Sequence, residues 1–121
     1  HLHGYVARAR AVVGRLLSRV EVVTPSAVVP SKAFVRVNGN IAPARQAKES
    51  SKDCLIYETY LEAIENLRTA GAMQSIAFLS SNTNDYQTQG SILKPDIATE
   101  LGLLNCMYAP NMSVAKRALG I

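Results

Sequence analysis

A chain of 121 residues, 48% hydrophobic and 18% charged, is typical of one folded domain that builds its core without metal or disulfide support. It contains no apolar run near the ~20 residues that a membrane-spanning helix needs, and no basic segment followed by an apolar one, as a retained targeting signal requires. We therefore expect a single soluble domain over residues 1–121, and the sequence leaves its compartment open.

The net charge of +4 conceals two halves of opposite sign. Residues 1–52 contain nine basic and two acidic residues, whereas residues 53–121 contain four basic and seven acidic ones. Such asymmetry is typical of a protein that meets a polyanion or an acidic partner. The alternative is that the basic half folds against the acidic, more helical half and the charges pair within the domain.

Residues 5–20 have the apolar periodicity of an amphipathic helix. At about 100° per residue, the apolar side chains fall within one broad stripe, and Arg8, Arg15 and Arg19 lie opposite it. Alternation over residues 6–12 favours a strand instead, and a central glycine weakens the helix, but the helical pattern has more matches. The stripe consists of Val6, Ala9, Val13, Leu16, Leu17 and Val20.

Residues 21–49 are predicted to be extended or looped around one strand. Residues 33–37 alternate β-branched or aromatic side chains with a charge, which predicts a strand. Asn38-Gly39 then predicts a hairpin turn, because both residues tolerate positive φ. Pro43 limits the length of any returning strand, so a wide turn into a loop is the alternative.

Residues 52–70 are predicted to form one long helix, which ends where Gly71 can adopt a left-handed conformation. Apolar residues recur along this segment at helical spacing, and three glutamates take its solvent-facing side. The apolar stripe contains Tyr57, Leu61, Ile64 and Leu67, and the solvent-facing side contains Glu58, Glu62 and Glu65.

The remaining residues predict one buried strand and two short helices. Residues 76–79 form an apolar run short enough for a strand over residues 75–79, whereas residues 80–90 have the composition of a polar loop. Pro95 suits the first turn of a helix that stops at Gly102, and Asn111 or Ser113 can cap a last helix that Gly120 closes. The predicted fold class is α+β. It has a small, mainly antiparallel sheet containing residues 33–37 and 75–79, packed against the long helix 52–70, with short C-terminal helices.

The sequence contains no arrangement typical of catalysis. The two histidines are His1 and His3, so a catalytic triad would take its base from the chain end. Nucleotide-binding glycine motifs are absent, and Cys54 and Cys106 lack zinc-ligand spacing, which leaves two thiols or one disulfide. We therefore predict a non-enzymatic protein without cofactor or metal, although a free N-terminal amine with His3 could bind Cu(II) or Ni(II).

Our leading hypothesis is a binding or assembly subunit whose basic N-terminal surface docks on a polyanion. Arginine dominates the first twenty residues and suits bidentate contact with phosphate or carboxylate. The partner is nucleic acid or the acidic face of a larger protein assembly; nucleic-acid motifs are absent, and a homo-oligomer stays open. The predicted polyanion-binding residues are Arg8, Arg10, Arg15, Arg19, Lys32 and Arg36.

The alternative hypothesis is a small-molecule-binding domain or enzyme. Its pocket would lie between the sheet and the long helix, and tyrosine hydroxyls would line it. The predicted lining residues are Tyr57, Tyr60, Tyr86 and Tyr108.

Overall fold

The computed structural model describes Gly4 and residues 20–121. The helix predicted over residues 5–20 lies outside this part of the chain, apart from Val20, as do both histidines. The described residues form five helices and two strands. In chain order these are α1 (Val29–Gly39), α2 (Ser51–Thr69), β1 (Ile76–Leu79), α3 (Thr83–Tyr86), α4 (Pro95–Leu103), β2 (Cys106–Ala109) and α5 (Met112–Leu119).

The strand predicted at residues 33–37 is wrong, because these residues lie in the middle of α1. Pro30 occupies the first turn of the helix, where its missing N–H costs nothing. The side chains that turn inward are Ala33, Arg36 and Val37, at helical rather than alternating spacing.

The hairpin predicted at Asn38-Gly39 is also wrong, because these residues belong to the end of α1. Asn40 adopts the left-handed conformation with φ of 54°, and its backbone N–H donates to the carbonyls of Arg36 and Val37. The turn-forming residues therefore terminate a helix, which is the other common use of a residue that tolerates positive φ.

Helix α2 forms where the sequence predicts the main helix, over Ser51–Thr69 instead of residues 52–70. It runs antiparallel to α1, since Ser26 before α1 contacts Glu62 and Val37 near the end of α1 packs against the cluster containing Cys54. The main packing partner of α1 is therefore a helix rather than a strand.

The sheet consists of β1 and β2, which pair in parallel with Ile76 opposite Cys106 and Leu79 opposite Ala109. The connection between them carries α3 and α4, as a parallel pair requires a crossover. The predicted antiparallel sheet packed against one long helix is therefore wrong. Residues 33–37 are helical, and β1 pairs with β2, where we predict no strand from the sequence. Over residues 20–121 the observed fold is five helices around a two-stranded parallel sheet.

The largest buried cluster surrounds the aromatic rings between α2 and the sheet. Its buried members are Ala42, Tyr57, Ile64, Phe78, Tyr86, Ile97, Leu101 and Cys106. Cys54 and Cys106 are both buried free thiols, and burial raises the pKa of each, which favours the unreactive protonated form. No helix in the described part of the chain has both the length and the apolar character to cross a bilayer.

Candidate functional site

Arg36, which the sequence places on the docking surface, lies inside the fold and is 5% exposed. Its Nε donates to Glu58 Oε1 at 2.6 Å, and its Nη2 donates to Glu100 Oε2 at 2.6 Å. Its Nη1 donates to the carbonyl of Ala42 at 2.5 Å, and its guanidinium carbon lies 4.8 Å from the ring centre of Tyr57. Arg36 therefore connects α1, α2 and α4, and its guanidinium is not available to a polyanion.

Two acidic partners hold the charge of Arg36 inside the protein. Burial alone would lower the pKa of Arg36, but hydrogen bonds to Glu100 and Glu58 outweigh this effect and the pKa is raised. Glu58, predicted on the solvent-facing side of α2, is buried because it faces this guanidinium. Its partner lies on another helix, so the periodicity within α2 could not reveal the pairing.

A second buried carboxylate, that of Asp85, binds two basic residues of the loop between α1 and α2. Arg45 Nε donates to Asp85 Oδ1 at 2.8 Å, and Lys48 Nζ donates to its two oxygens at 2.9 and 3.0 Å. Asn82 Nδ2 adds a bond to Oδ2 at 2.9 Å, and Asp85 is 0% exposed. Hydrogen bonding to Asp85 raises the pKa of Lys48. These residues thus hold the loop against α3.

The sequence prediction missed the Asp85 site because residues 80–90 have the composition of a loop. Within them, α3 spans Thr83–Tyr86 and directs Asp85 inward. The available signal was the spacing of Asn82 and Asp85, a capping-type residue followed three positions later by an acid.

Arg68 is the third described arginine that the fold uses internally. Its guanidinium donates to four backbone carbonyls at 2.8–3.0 Å, which belong to Ala72, Gln74, Leu104 and Asn105. These bonds join the end of α2 to the segment that leads into β1 and to the turn after α4. Arg68 is therefore a structural cation.

Two of the six predicted polyanion-binding residues lie in the described part of the chain, and of these Lys32 is exposed whereas Arg36 is buried. With Arg36 it lines a cleft of about 360 Å³ whose other charged residues are Glu58, Glu62, Glu65 and Glu100. Lys32 thus faces acidic groups of its own domain. The other four members, Arg8, Arg10, Arg15 and Arg19, lie outside the described residues.

The four tyrosines of the alternative hypothesis do come together around Phe78: Tyr57, Tyr86 and Tyr108 belong to the core, and Tyr60 packs at its exposed edge. The ring centres of Tyr57, Tyr60, Tyr86 and Tyr108 lie 5.6, 5.9, 5.1 and 6.2 Å from that of Phe78. The hydroxyl of Tyr57 donates to Glu100 Oε1 at 3.0 Å, and that of Tyr108 donates to the carbonyl of Ser80 at 2.6 Å. Phe78 fills the space that a tyrosine-lined pocket would need.

This aromatic cluster predicts a loss of stability at alkaline pH. Burial raises the pKa of Tyr57 and of Tyr86 well above the usual value of about 10. Above pH ~10 the unfolded chain therefore loses protons that the folded chain retains, so the free energy of unfolding falls as the pH rises. We expect a loss of at least about 1.4 kcal/mol between pH ~9 and ~11, measured by urea denaturation.

The variant Tyr86→Phe provides the control for this prediction, because it keeps the ring and removes one buried hydroxyl. Its free energy of unfolding should fall less steeply over the same pH range. Equal slopes for the variant and the original chain would contradict the assignment of the alkaline effect to Tyr86.

An apolar groove, which we call the α1–α2 groove, follows the outer side of the helix pair. It consists of two adjoining cavities of about 310 and 330 Å³, and Leu55 lines both. The other apolar residues along it are Val23, Pro25, Ile56 and Tyr60 in the first cavity and Pro30, Ala33, Phe34 and Val37 in the second. The groove offers apolar contact but no charged side chain.

Among the described residues, no group of three or more His, Cys, Asp or Glu side chains is arranged to hold a metal ion.

No protein-family model matches the chain, and no curated protein or solved structure matches it either.

Proposed function

We propose that this protein is a non-enzymatic binding or assembly subunit that docks its basic N-terminal segment on the acidic face of a larger protein. The distribution of charge carries this proposal. All nine acidic residues and nine of the thirteen basic residues lie in residues 20–121, so that part of the chain has no net charge. The net charge of +4 therefore comes from Arg8, Arg10, Arg15 and Arg19.

The contacts within the fold support the same division. Arg36, Arg45 and Lys48 are paired with carboxylates of the domain, and Arg68 is taken up by backbone carbonyls. These four cations thus serve the stability of the described part. A cluster of four arginines within twelve residues creates a local positive potential, which attracts an acidic surface and speeds encounter.

Two features favour an acidic protein over nucleic acid as the partner. Tyr57, Tyr86 and Tyr108 are packed around Phe78, so their rings are not free to stack on bases. Large apolar side chains such as Phe34 and Leu103 are also exposed, and protein partners bury such groups once charge has brought the surfaces together.

The test uses poly-L-glutamate as the acidic probe and the full chain as the binder. Binding should weaken as NaCl is raised from about 50 to 300 mM, because salt screens exposed charges. Changing Arg8, Arg15 and Arg19 together to Glu should reduce the affinity by at least about tenfold, measured by fluorescence anisotropy with a labelled probe. Circular dichroism establishes that the variant remains folded.

A matched variant separates a local arginine cluster from net charge alone. Changing Lys52, Lys116 and Arg117 to Glu reverses three exposed cations elsewhere and alters the net charge by the same amount. This control should retain most of the affinity. Equal loss in both variants, or tighter binding of duplex DNA than of poly-L-glutamate of equal charge, would contradict docking on an acidic protein.

A further inference from the structure

We propose that a polar cavity beside Asp85, which we call the Arg45 cavity, binds a small polar carboxylate. The cavity has a volume of about 350 Å³ and is lined by Arg45, by Thr83 and Asn84 of α3, and by residues 87–91. Its size is that of a small-molecule site. The inference goes beyond the proposed function, because it concerns a different part of the chain from the N-terminal arginines.

The charges around the Arg45 cavity favour an anionic ligand. Arg45 is the one charged residue among the described residues of the lining. Its charge is not cancelled by Asp85, because Lys48 donates to the same carboxylate at 2.9 and 3.0 Å. Lys48 also contacts Asp53 at 3.1 Å, and Lys94 lies near enough for the charges of Arg45 and Lys48 to lower its pKa, in addition to burial. The surroundings thus contain three cations and two carboxylates, so an anion is attracted.

The guanidinium of Arg45 is positioned to bind a carboxylate. Its Nε donates to Oδ1 of the fully buried Asp85 at 2.8 Å, which fixes the orientation of the group. Its two Nη groups make no hydrogen bond with a residue in the described part of the chain. They form a planar fork that matches the two oxygens of a carboxylate. A phosphate carries nearly two charges, so a lining with one cation suits it less well.

The neutral residues of the cavity indicate that the rest of the ligand is polar. Thr83, Asn84, Gln87 and Gln89 provide hydroxyl and amide groups, which can both donate and accept hydrogen bonds. Among the described residues, no leucine, isoleucine, valine, methionine or aromatic side chain lines the cavity, so a fatty acid would bury little apolar surface there. A sugar acid has the required chemistry, and so does the free carboxyl end of a polar peptide.

Hydrogen bonds close the loop that forms one wall of the cavity. The N–H and the hydroxyl of Thr88 both donate to the carbonyl of Ile92, at 2.7 and 3.1 Å. Gly90 and Ser91 turn the chain between them in the left-handed conformation, with φ of 81° and 62°. Because this wall is formed in advance, a ligand does not have to order it on binding.

Titrations of the full chain, followed by backbone-amide NMR spectra, test the site with two probes. D-glucuronate represents a free sugar acid, and N-acetylglycylserine represents the carboxyl end of a peptide. At least one of them should shift the amides of residues 87–91 with a Kd of about 1 mM, which is ordinary for ligands of this size. The neutral counterparts, D-glucose and the amide of N-acetylglycylserine, should bind at least about tenfold more weakly. The probe that binds more tightly identifies the source of the carboxylate.

Three variants assign the binding to this cavity. Gln89→Glu adds a carboxylate to the lining, which repels the ligand, and should weaken binding at least about fivefold. Gln74→Glu is the matched control, because it makes the same change at an exposed glutamine outside the cavity, and it should leave the affinity unchanged. Arg45→Lys keeps the charge but removes the planar fork, and should also weaken binding at least about fivefold. The NMR spectrum of each variant establishes that it is folded.

Several results would overturn the proposal. One is the absence of shifts at residues 87–91 with both carboxylates at about 10 mM, and another is equal affinity for a carboxylate and its neutral counterpart. Affinity that is unchanged in Gln89→Glu, or lowered equally in Gln74→Glu, would place the ligand elsewhere. Tighter binding of inorganic phosphate than of both carboxylates would contradict the class of ligand.

The triple change of Arg8, Arg15 and Arg19 to Glu separates this site from the proposed function. It should leave the Kd for the small carboxylates unchanged, although it reduces the affinity for poly-L-glutamate. Loss of small-carboxylate binding in this variant would assign these probes to the N-terminal arginines and overturn the Arg45 cavity. Binding of the small carboxylates by a chain that does not bind poly-L-glutamate would support the cavity and contradict the proposed function.

Discussion

Replacing Arg36 with alanine is expected to lower the free energy of unfolding by about 3–5 kcal/mol. The change removes the cation that lies between Glu58 and Glu100, and leaves these two carboxylates close together without their shared partner. The side chain of Glu58 is only 11% exposed, so water can replace little of the lost interaction. Urea denaturation at pH 7, followed by circular dichroism, measures the effect.

Two further variants separate the charge of Arg36 from its geometry. Arg36→Lys keeps the charge, but an ammonium cannot donate in the fixed fork that reaches Glu58, Glu100 and the carbonyl of Ala42 together. We therefore expect its stability to lie between those of the unaltered chain and Arg36→Ala.

The triple variant Arg36→Met, Glu58→Leu and Glu100→Gln removes the buried charges together. It should be far closer in stability to the unaltered chain than Arg36→Ala, because replacing a buried charge network as a unit avoids an unpaired charge. The side-chain carbonyl that Glu100→Gln retains can still accept the hydrogen bond that the Tyr57 hydroxyl donates to Glu100. If the triple variant were less stable than Arg36→Ala, the loss in Arg36→Ala could not be assigned to the two carboxylates left without their partner.

The helices that the sequence predicts correctly are those whose signals are local. Pro95 begins α4, which runs to Leu103 beside the predicted stop at Gly102. The side chain of Asn111 accepts a hydrogen bond from the N–H of Val114, and Gly120 ends α5 with φ of 74°. Caps and stops lie within a few residues of the elements that they define, so a single sequence contains them.

The elements that the sequence does not predict depend on distant partners. Residues 33–37 have high strand propensity, but α1 is stabilised by burial of Ala33 and by pairing of Arg36 with Glu58 and Glu100. These partners lie 22 and 64 residues away in the chain. Tertiary packing overrides local propensity here, and no pattern within the segment could reveal it.

Dependence on distant partners also limited the prediction of the candidate site. Hydrophobicity and composition were sufficient to place four tyrosines near one another. Whether they enclose a pocket depends on Phe78, which fills their centre from β1. Likewise, counting charges located the basic half but did not distinguish Arg36, which is buried, from Lys32, which is exposed.

The second large effect is expected for Asp85→Ala, which should lower the free energy of unfolding by about 3 kcal/mol. Asp85 is completely buried and accepts charged hydrogen bonds from Arg45 and Lys48. Lys94 also lies near this site, where burial and then the neighbouring charges of Arg45 and Lys48 lower its pKa, while Asp85 opposes them. Removing the carboxylate therefore leaves these cations to repel one another.

Salt distinguishes this repulsion from a simple loss of packing. The destabilisation in Asp85→Ala should decrease when NaCl is raised from about 50 to 500 mM, because ions screen repulsion between partly exposed cations. Asp96→Ala is the matched control: Asp96 is an exposed acid in the first turn of α4, and its loss should cost less than about 1 kcal/mol at either salt concentration.

A double-mutant cycle with Arg45→Ala completes the test. If the Asp85–Arg45 bond fixes the loop before α2, the double variant should be more stable than the sum of the two single effects predicts. The loop would also lose hydrogen-exchange protection in Asp85→Ala before α2 does, because Asp85 attaches the loop to α3 and does not bind the body of α2. Additive effects in the cycle, or a cost for Asp85→Ala as small as that for Asp96→Ala, would show that other contacts hold the loop.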